Sequence, residues 1–259
     1  MTETPKVTTV WFKDTAKGSR PKRTGDLSRE QIVRAAVEIL DNEGIDALSM
    51  RRLGAKLGAG ATSIYWHVAT KSDLLDLATD EILGEIEIPE EGDWQLRAGI
   101  VAYNLRTTLM RHRWAPGLMT TRPNIGPHAM DLTEQVLSIF LGAGFSPVDA
   151  SMANSTITGY VLGLTVGDAA WDEVMAASNT AEQDWLDKMV PFLQQMMADR
   201  PTLKAVYLGT RGSMDSRMAA AVRFEFGLQC ILDGLAARLD RPCAGQAIIC
   251  VTHKDKAQG

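Results

Sequence analysis

The sequence predicts an all-α protein, with an N-terminal three-helix helix-turn-helix domain followed by a larger helical domain. Apolar residues recur at helical spacing over most of the chain. A Gly-containing turn separates two short helical segments between residues 49 and 68, and almost no segment alternates as a strand would. The 259 residues, 45% of them hydrophobic, are enough for one small domain and one of ordinary size.

The first predicted helix follows the capping-box pattern Ser28-Arg-Glu-Gln31. Apolar residues then repeat at helical spacing up to Gly44, which suits a C-terminal stop. These apolar residues are Ile32, Ala35, Ala36, Ile39 and Leu40. The helix is expected to support the two short helices that follow it.

Two short helices form the predicted helix-turn-helix. Residues 49–58 (SMRRLGAKLG) predict a helix buried through Leu53 and Leu57, and residues 59–68 (AGATSIYWHV) predict a second helix after the turn. One side of the second helix carries Ala61, Ile64 and Val68, and the remaining positions carry Thr62, Ser63, Tyr65, Trp66 and His67. Exposed aromatic and hydroxyl groups on so short a helix indicate a surface that meets a partner.

The charge distribution makes DNA the expected partner. Residues 1–74 contain 12 Lys and Arg against 9 Asp and Glu, whereas the remainder contains 15 against 23. A basic N-terminal part and an acidic remainder orient the molecule toward phosphate. Lys71 begins the next predicted helix, where its ammonium and the nearby backbone N–H groups are expected to hold a phosphate.

Residues 1–26 are predicted to form a mobile basic arm, because they lack sustained apolar periodicity. The arm either touches the minor groove or phosphates, as homeodomain arms do, or is a solvated tail that only helps solubility. No apolar signal-peptide region follows the basic residues, and no run approaches the ~18 apolar residues of a membrane helix. We therefore expect a cytoplasmic protein without a membrane partner.

The remainder of the chain is predicted to be mostly helical. Asp93 is expected to cap a helix from Trp94 to Arg113, and the prolines and glycines of 116–127 predict an irregular segment. Further helices are predicted at about 128–142, 148–173, 179–199 and 215–239. Residues 241–259 are assigned as a tail, although a short apolar run within them would also suit a cover for an edge.

The sequence lacks the motifs of an enzyme. Its four histidines and three cysteines have no CxxC or HExxH spacing, and no GxSxG, P-loop or GxGxxG follows a plausible strand. We therefore predict no catalytic residue, no metal and no cofactor. The helix-turn-helix is followed by about 170 residues, more than are needed to hold two helices on DNA, and a domain of this size suits a protein that senses a small molecule. The alternative is an architectural DNA-binding protein.

The N-terminal region resembles the DNA-binding domain of the TetR family of bacterial transcriptional regulators. The resemblance covers roughly Leu27 to Ile86. The tetracycline repressors carry the same motif here, which is Tyr65-Trp66-His67-Val68 followed by Lys71 and Leu74-Leu75. Four later motifs look like the tetracycline-repressor type of C-terminal domain: Arg111-His-Arg113, Thr121-Arg-Pro123, Gly144-Phe-Ser146 and Phe224-Glu-Phe-Gly-Leu228.

The resemblance implies a domain order and a set of DNA-contacting residues. The order is an arm (1–26), a helix-turn-helix DNA-binding domain (27–73), a connector helix (74–88), a ligand-binding and dimerisation domain (89–240) and a tail (241–259). Contacts to the DNA operator are expected from Ser49, Arg51, Thr62, Ser63, Tyr65, Trp66, His67 and Lys71. Arg51 is expected to reach a guanine edge, and Lys71 to hold phosphate.

A homodimer is implied as well, in which the helix at 150–170 and the last helix form a four-helix bundle with their counterparts. Two half-sites one DNA turn apart then require a palindromic operator. From the residue pattern alone, a buried central helix in a monomer explains the small and apolar residues of 150–170 equally well.

The resemblance also bears on the small-molecule effector. Tetracycline repressors place a magnesium-holding histidine just before Thr-Arg-Pro, whereas this chain has Leu118 there, and Val101 and Val136 stand where polar drug-contacting residues are expected. An apolar or aromatic effector is therefore expected instead. The predicted effector-binding residues are Val101, Asn104, Leu105, Leu118, Thr121, His128, Val136, Asn154 and Thr158.

Ordinary helix core explains the aliphatic members of that set equally well, and a helix-start or surface role suits His128 beside Pro127. By the same resemblance, effector binding swings the connector at 71–86 and spreads the recognition helices. The sequence alone leaves open whether the effector releases or recruits DNA.

Overall fold

The structure, a computed structural model, describes residues 10–11, 27–178, 180–210 and 216–239. Between residues 29 and 239 the described chain forms eleven α-helices and no strand. They are α1 (Arg29–Glu43), α2 (Met50–Leu57), α3 (Ala61–Tyr65), α4 (Lys71–Leu83), α5 (Trp94–Arg111), α6 (Ala115–Thr121), α7 (Pro127–Gly142), α8 (Pro147–Ser178), α9 (Glu182–Met196), α10 (Pro201–Thr210) and α11 (Ser216–Leu239). We call α1–α3 the head, α4 the connector and α5–α11 the body.

The head is defined by local signals at its helix ends. The hydroxyl of Ser28 accepts a hydrogen bond from the Gln31 N–H (3.1 Å), and the Gln31 side chain accepts one from the Ser28 N–H (2.9 Å), which confirms the capping box. Gly44 has a φ of 80° after α1, and Gly58 has a φ of 63° after α2. Both positions favour glycine because an L side chain is strained there. The chain therefore turns sharply after each of the first two helices.

The connector is buried along most of its length. It packs against α1 on the head side and against α5, α6 and α7 on the body side. Leu74, Ala78 and Ile82 are fully buried at one-turn intervals, so α4 joins head and body in one continuous core. The helix ends at Leu83, before the predicted limit of residue 88, and the assigned boundary at residues 73–74 lies inside it.

The body is built around α8, which packs against α5, α6, α7 and α11. An aromatic cluster closes the end of the body near the start of α5. The ring of Trp94 lies 5.1 Å from that of Phe145 and 6.0 Å from that of Phe140, at angles typical of tilted and edge-to-face pairs. None of the described helices is both long enough and apolar enough to cross a membrane.

Two helices lie where the sequence predicted none. Helix α6 occupies part of the 116–127 segment that was expected to be irregular, and α10 follows the predicted helix at 179–199. Pro116 lies in the first turn of α6, and Pro201 is the first residue of α10. Proline suits the first turn because the N–H it lacks would have no helical partner there. A proline therefore marks the start of each of these helices and not only a break in the chain.

The predicted arm is corrected at one point. Val10 is only 5% exposed, and Trp11 packs beside Asp76, Asp80 and Arg122. Two adjacent apolar residues are too few to produce a periodic signal, so the sequence analysis could not find this contact. The rest of 1–26 and the tail at 241–259 lie outside the described residues.

Candidate DNA interface and ligand cavity

Helix α3 and the residues after it divide into a buried and an exposed face. Ile64 and Val68 are 0% and 1% exposed, whereas Tyr65 and Trp66 are 53% and 78% exposed. The other exposed side chains here are Thr62, Ser63 and His67. The division matches the prediction from helical periodicity. It places two large aromatic groups in solvent on a short helix, where they can meet a partner.

Helix α2 presents two arginines with different roles. Arg52 donates to both oxygens of Glu43 at 2.7 and 3.2 Å, and its guanidinium holds the pKa of that carboxyl below its usual range. Arg51 is exposed and has no ion pair among the described residues. The hydroxyl of Ser49 accepts a hydrogen bond from the Arg52 N–H at 3.1 Å, so Ser49 caps the helix. Arg51 is therefore the arginine available to a DNA base.

Lys71 makes a contact that the sequence did not indicate. Its ammonium donates to the carbonyl oxygen of Ile45 at 2.7 Å and is partly buried, which ties the start of α4 to the turn between α1 and α2. The first turn of α4 is capped by the Thr70 hydroxyl, which accepts from the Asp73 N–H at 3.0 Å. Two ammonium hydrogens are left for a phosphate. The predicted phosphate role of Lys71 stays a prediction, beside a structural role inside the head.

A cavity of about 200 Å³, partly open to solvent, lies between the helices of the body against the end of the connector. Five of the nine predicted effector-binding residues line it: Val101, Leu105, Val136, Asn154 and Thr158. They come from α5, α7 and α8, and Leu83 of α4 completes one wall. A molecule in the cavity would therefore touch the helix that supports the head.

The other four predicted residues lie outside the cavity. Leu118 packs on the body core, and the Thr121 hydroxyl donates to carbonyl groups in its own helix. The Asn104 amide donates to the Glu87 carbonyl at 2.7 Å. His128 is exposed at the start of α7, with its ring packed on Gly84, a location that suits the alternative of a helix-start and surface role.

Several cavity residues were not among those predicted from the sequence. Along α7, four positions at helical spacing share the cavity wall with Val136: Ala129, Leu132, Thr133 and Phe140. The same periodicity that located the core could have found them. Met119 and Asn124 come from α6 and the loop after it, and the Asn124 amide donates to the Met119 carbonyl at 3.0 Å. The remaining wall residues are Ala98, Ala102, Ile157 and Leu162.

The cavity wall is uncharged. Its polar groups are the side chains of Asn124, Thr133, Asn154 and Thr158, and no Asp, Glu, Lys, Arg or His is among the lining residues. The Thr133 hydroxyl donates to the Ala129 carbonyl at 2.7 Å, so toward the cavity it can only accept a hydrogen bond. In the part of the chain that the structure describes, no three His, Cys, Asp or Glu side chains are grouped closely enough to hold a metal ion. The wall thus suits an uncharged organic molecule.

A head with an exposed recognition helix, a buried connector and a body with a cavity between its helices define a ligand-binding helix-turn-helix regulator. Residues 32–78 match the family described as bacterial regulatory proteins, tetR family, and residues 88–239 match the tetracyclin repressor-like C-terminal domain. This chain therefore belongs to the TetR family, whose members are transcription regulators and not enzymes.

Relatives and solved structures agree with the assignment. A helix-turn-helix transcriptional regulator of Saccharopolyspora erythraea is 37% identical over 233 residues, which cover 88% of this chain and 91% of the relative. The repressor DrrR1 of Streptomyces coeruleorubidus is 34% identical, over 84% of this chain and 81% of its own length. The crystal structure of ActR from Streptomyces coelicolor in complex with actinorhodin has a TM-score of 0.69 and 29% identity, covering 82% of this chain and 97% of that one.

Proposed function

We propose that this chain is a homodimeric repressor that binds a palindromic DNA operator and is released by a small, uncharged, apolar or aromatic effector. The observation that carries this proposal is that Leu83 of the connector lines the effector cavity, while the same helix packs on α1 of the head. A ligand that favours one of two connector positions changes DNA affinity, typically by a coupling free energy of roughly 1–3 kcal/mol.

The exposed face of α3 supports DNA reading. A recognition helix enters the major groove with its exposed side chains toward the base edges, while neighbouring groups hold phosphate. Tyr65 and Trp66 offer large contact surfaces, Thr62 and Ser63 offer hydroxyls, and Arg51 offers a guanidinium suited to guanine.

Unpaired helix faces on α8 and α11 support a dimer. Gly159, Gly163 and Gly167 recur every four residues on α8 and are exposed, and among the described residues no atom beyond the backbone of their own helix lies within 4 Å of the position of a Cβ. On α11, Val222 and Phe226 are 48% and 72% exposed. Small residues permit close helix approach and large apolar residues favour burial, so a second copy that covers both helices would form a four-helix bundle.

The cavity supports the stated class of effector. An aliphatic cavity of roughly 150 Å³ is enough to hold benzene, so a cavity of about 200 Å³ holds one or two rings before its walls move. The uncharged wall disfavours an ionised ligand, because a buried charge without a partner is costly. DrrR1 is named as a repressor and ActR was solved with actinorhodin, which is consistent with repression and with an organic ligand here.

An operator selection tests the proposal. Duplexes bound by the full chain are selected from a random-sequence pool, sequenced, and used in gel-shift titrations with and without actinorhodin and with a panel of neutral and charged two-ring aromatic compounds. We expect a palindromic consensus and release by at least one neutral compound at a concentration that leaves the Thr133→Trp variant bound. A consensus without twofold symmetry would contradict the dimer. Release only by ionised compounds, or release unaffected by Thr133→Trp, would contradict the cavity as the effector site.

A further inference from the structure

Helix α7 is capped by a side chain of the connector. Its own N-cap residue, Gly126, has no side chain to accept a hydrogen bond, and Pro127 has no N–H. The next two N–H groups, of His128 and Ala129, donate to the two carboxylate oxygens of Asp80 at 3.2 and 3.0 Å. Asp80 itself is only 6% exposed. The start of α7 therefore depends on an acceptor that is 48 residues away in the sequence.

The residues of this first turn also form a wall of the effector cavity. Ala129 lines the cavity and donates to Asp80, and Asn124 of the preceding loop lines the cavity as well. Asp80 is not among the cavity-lining residues. The first turn of α7 thus has one surface toward an effector and its N–H groups toward the connector.

The first turn of α7 packs closely against the Asp80 carboxylate. A Cβ added at Gly126 would overlap the Asp80 carboxylate, even though the backbone of Gly126, with a φ of −74°, would tolerate an alanine. Displacement of the turn toward α4 must therefore displace Asp80. Because interiors are close-packed, a helix moves as a unit when one of its buried side chains is pushed.

The connector carries such a displacement to the head. Asp80 lies nine residues after Lys71, or about 13 Å along a helix that rises 1.5 Å per residue. Lys71 is bonded to Ile45 in the turn before α2, and Leu74 and Ala78 are fully buried. A tilt of α4 at Asp80 therefore shifts the helices that present α3.

We propose that Asp80 is the positioning residue that transmits movement of the cavity wall to the DNA-binding head. The inference rests on the proposed function, because it supplies the contact by which an effector against Ala129 alters the connector. A second contact on the same helix, the ion pair of Asp76 with Arg122 at 2.6 Å, involves no cavity-lining residue and holds α4 to the end of α6 instead.

A double-mutant cycle tests the inference without an identified effector. Gly126→Ala is the perturbation, because its added methyl group presses on Asp80 as a displaced wall would. We expect it to weaken binding to the selected operator about tenfold, within the usual range of allosteric couplings. In the Asp80→Ser background, where the shorter side chain removes the overlap but still accepts a hydrogen bond, we expect Gly126→Ala to weaken binding by less than about threefold.

Two matched controls accompany the cycle. Asp80→Asn keeps the size of the side chain, so the Gly126→Ala effect should persist. Asp76→Ser shortens an acidic residue one turn away on the same helix, so the effect should persist there too. Melting temperatures of all variants show whether each is folded, and Asp80→Ala replaces Asp80→Ser if the latter is not.

The outcomes separate the inference from the function. An effect of Gly126→Ala that is equally large in the wild-type and Asp80→Ser backgrounds, or no effect in the wild-type background, overturns Asp80 as the transmitter and leaves the proposed function standing. Suppression by Asp76→Ser as strong as by Asp80→Ser also overturns it. Failure of the wild-type chain to select any operator overturns the proposed function itself.

Discussion

The recognition surface and the effector cavity are built in opposite ways. Apart from Arg51 of α2, the recognition surface comes from exposed side chains of residues 62–67, a continuous segment whose geometry is fixed by one helix and the turn before it. The cavity takes its walls from α4, α5, α7, α8 and the segment between α5 and α7. A surface of the first kind depends on local conformation, whereas one of the second kind depends on how distant helices pack. Substitutions should therefore have separable effects in the head and distributed effects in the body.

The largest effect on operator affinity should come from disrupting the proposed dimer, because the dimer brings two heads to one operator. Phe226→Arg places a charge on the exposed face of α11, and we expect a monomer by sedimentation and at least about a hundredfold loss of operator affinity, because one half-site then binds alone. Leu141→Arg, at an exposed leucine of α7 outside that face, is the control and should remain dimeric. A Phe226→Arg protein that is still a dimer would contradict the proposal that α11 forms part of the dimer interface.

Within the head, substitutions of exposed residues should change operator affinity, whereas substitutions of buried residues should change folding stability. Trp66→Ala removes an exposed side chain, so operator binding should weaken by about 1–3 kcal/mol while the melting temperature is unchanged. Ile64→Ala, two residues away but fully buried, should instead cost about 2–5 kcal/mol of folding stability. Gel shifts and thermal melts of both variants provide the test. Unchanged DNA affinity of folded Trp66→Ala would contradict the recognition role of α3.

In the body, a residue that lines the cavity and one that lies outside it should respond differently to enlargement. Thr133→Trp fills the cavity, so we expect at least about a tenfold loss of effector response with operator binding retained. Leu118→Trp overpacks the core beside α6 and should cost roughly 1–3 kcal/mol of stability, while the response of the folded fraction is normal. Melting temperature and effector-induced DNA release are measured together. A Leu118→Trp protein that is stable and binds the operator but does not respond to the effector would place Leu118 in the effector site.

Substitutions of Arg51 and Lys71 should distinguish a contact to a DNA base from a contact to a phosphate. Arg51→Ala should cost about 1–3 kcal/mol on the selected operator and relax base preference at one position. Lys71→Ala should weaken all duplexes alike, reduce the salt slope by about one unit, and lower the melting temperature because the Ile45 carbonyl loses its partner. Titrations at several salt concentrations on specific and random duplexes measure this. Equal loss of specificity in both variants would contradict the division of roles.

The smallest effect is a pH dependence of stability at Asp80. Burial raises the pKa of its carboxyl above the ordinary value, although hydrogen bonds from the Ala129 and His128 N–H groups oppose the shift. The folded state then binds this proton more tightly than the unfolded state, so stability falls as pH rises from ~4 through the raised pKa. Asp80→Asn should lack this fall, which urea titrations between pH 4 and 8 can measure. A parallel pH profile for the two proteins would contradict the shift.

The difference between the regions also explains what the sequence could predict. Ser28, Gly58 and the alternation of Ile64 with Trp66 are local signals, and the structure confirms the helix ends and faces they indicate. In the body, Val101 and Val136 were predicted because the resemblance puts them where drug-contacting residues are expected, and both line the cavity.

Two of the four predicted residues that lie outside the cavity, Leu118 and Thr121, belong to α6. Leu118 was chosen by its place before Thr121-Arg-Pro123, but on a helix residues 118 and 119 point about 100° apart, and it is Met119 that lines the cavity. A segment predicted to be irregular gives no such direction. The capping of α7 by Asp80 was equally invisible, because it joins groups 48 and 49 residues apart. Contacts of that separation follow from tertiary packing and carry no periodic signature.

The exposure of Trp66 gives the head an optical signature of its own. Its indole is 78% exposed, whereas that of Trp114 in the body is 5% exposed and donates to Asp41 at 2.7 Å. A water-exposed indole emits at longer wavelength than a buried one and is accessible to ionic quenchers such as iodide. Operator binding that covers α3 should shield the long-wavelength emission of Trp66 from iodide. The unlabelled protein can thus report occupancy of its recognition helix by fluorescence.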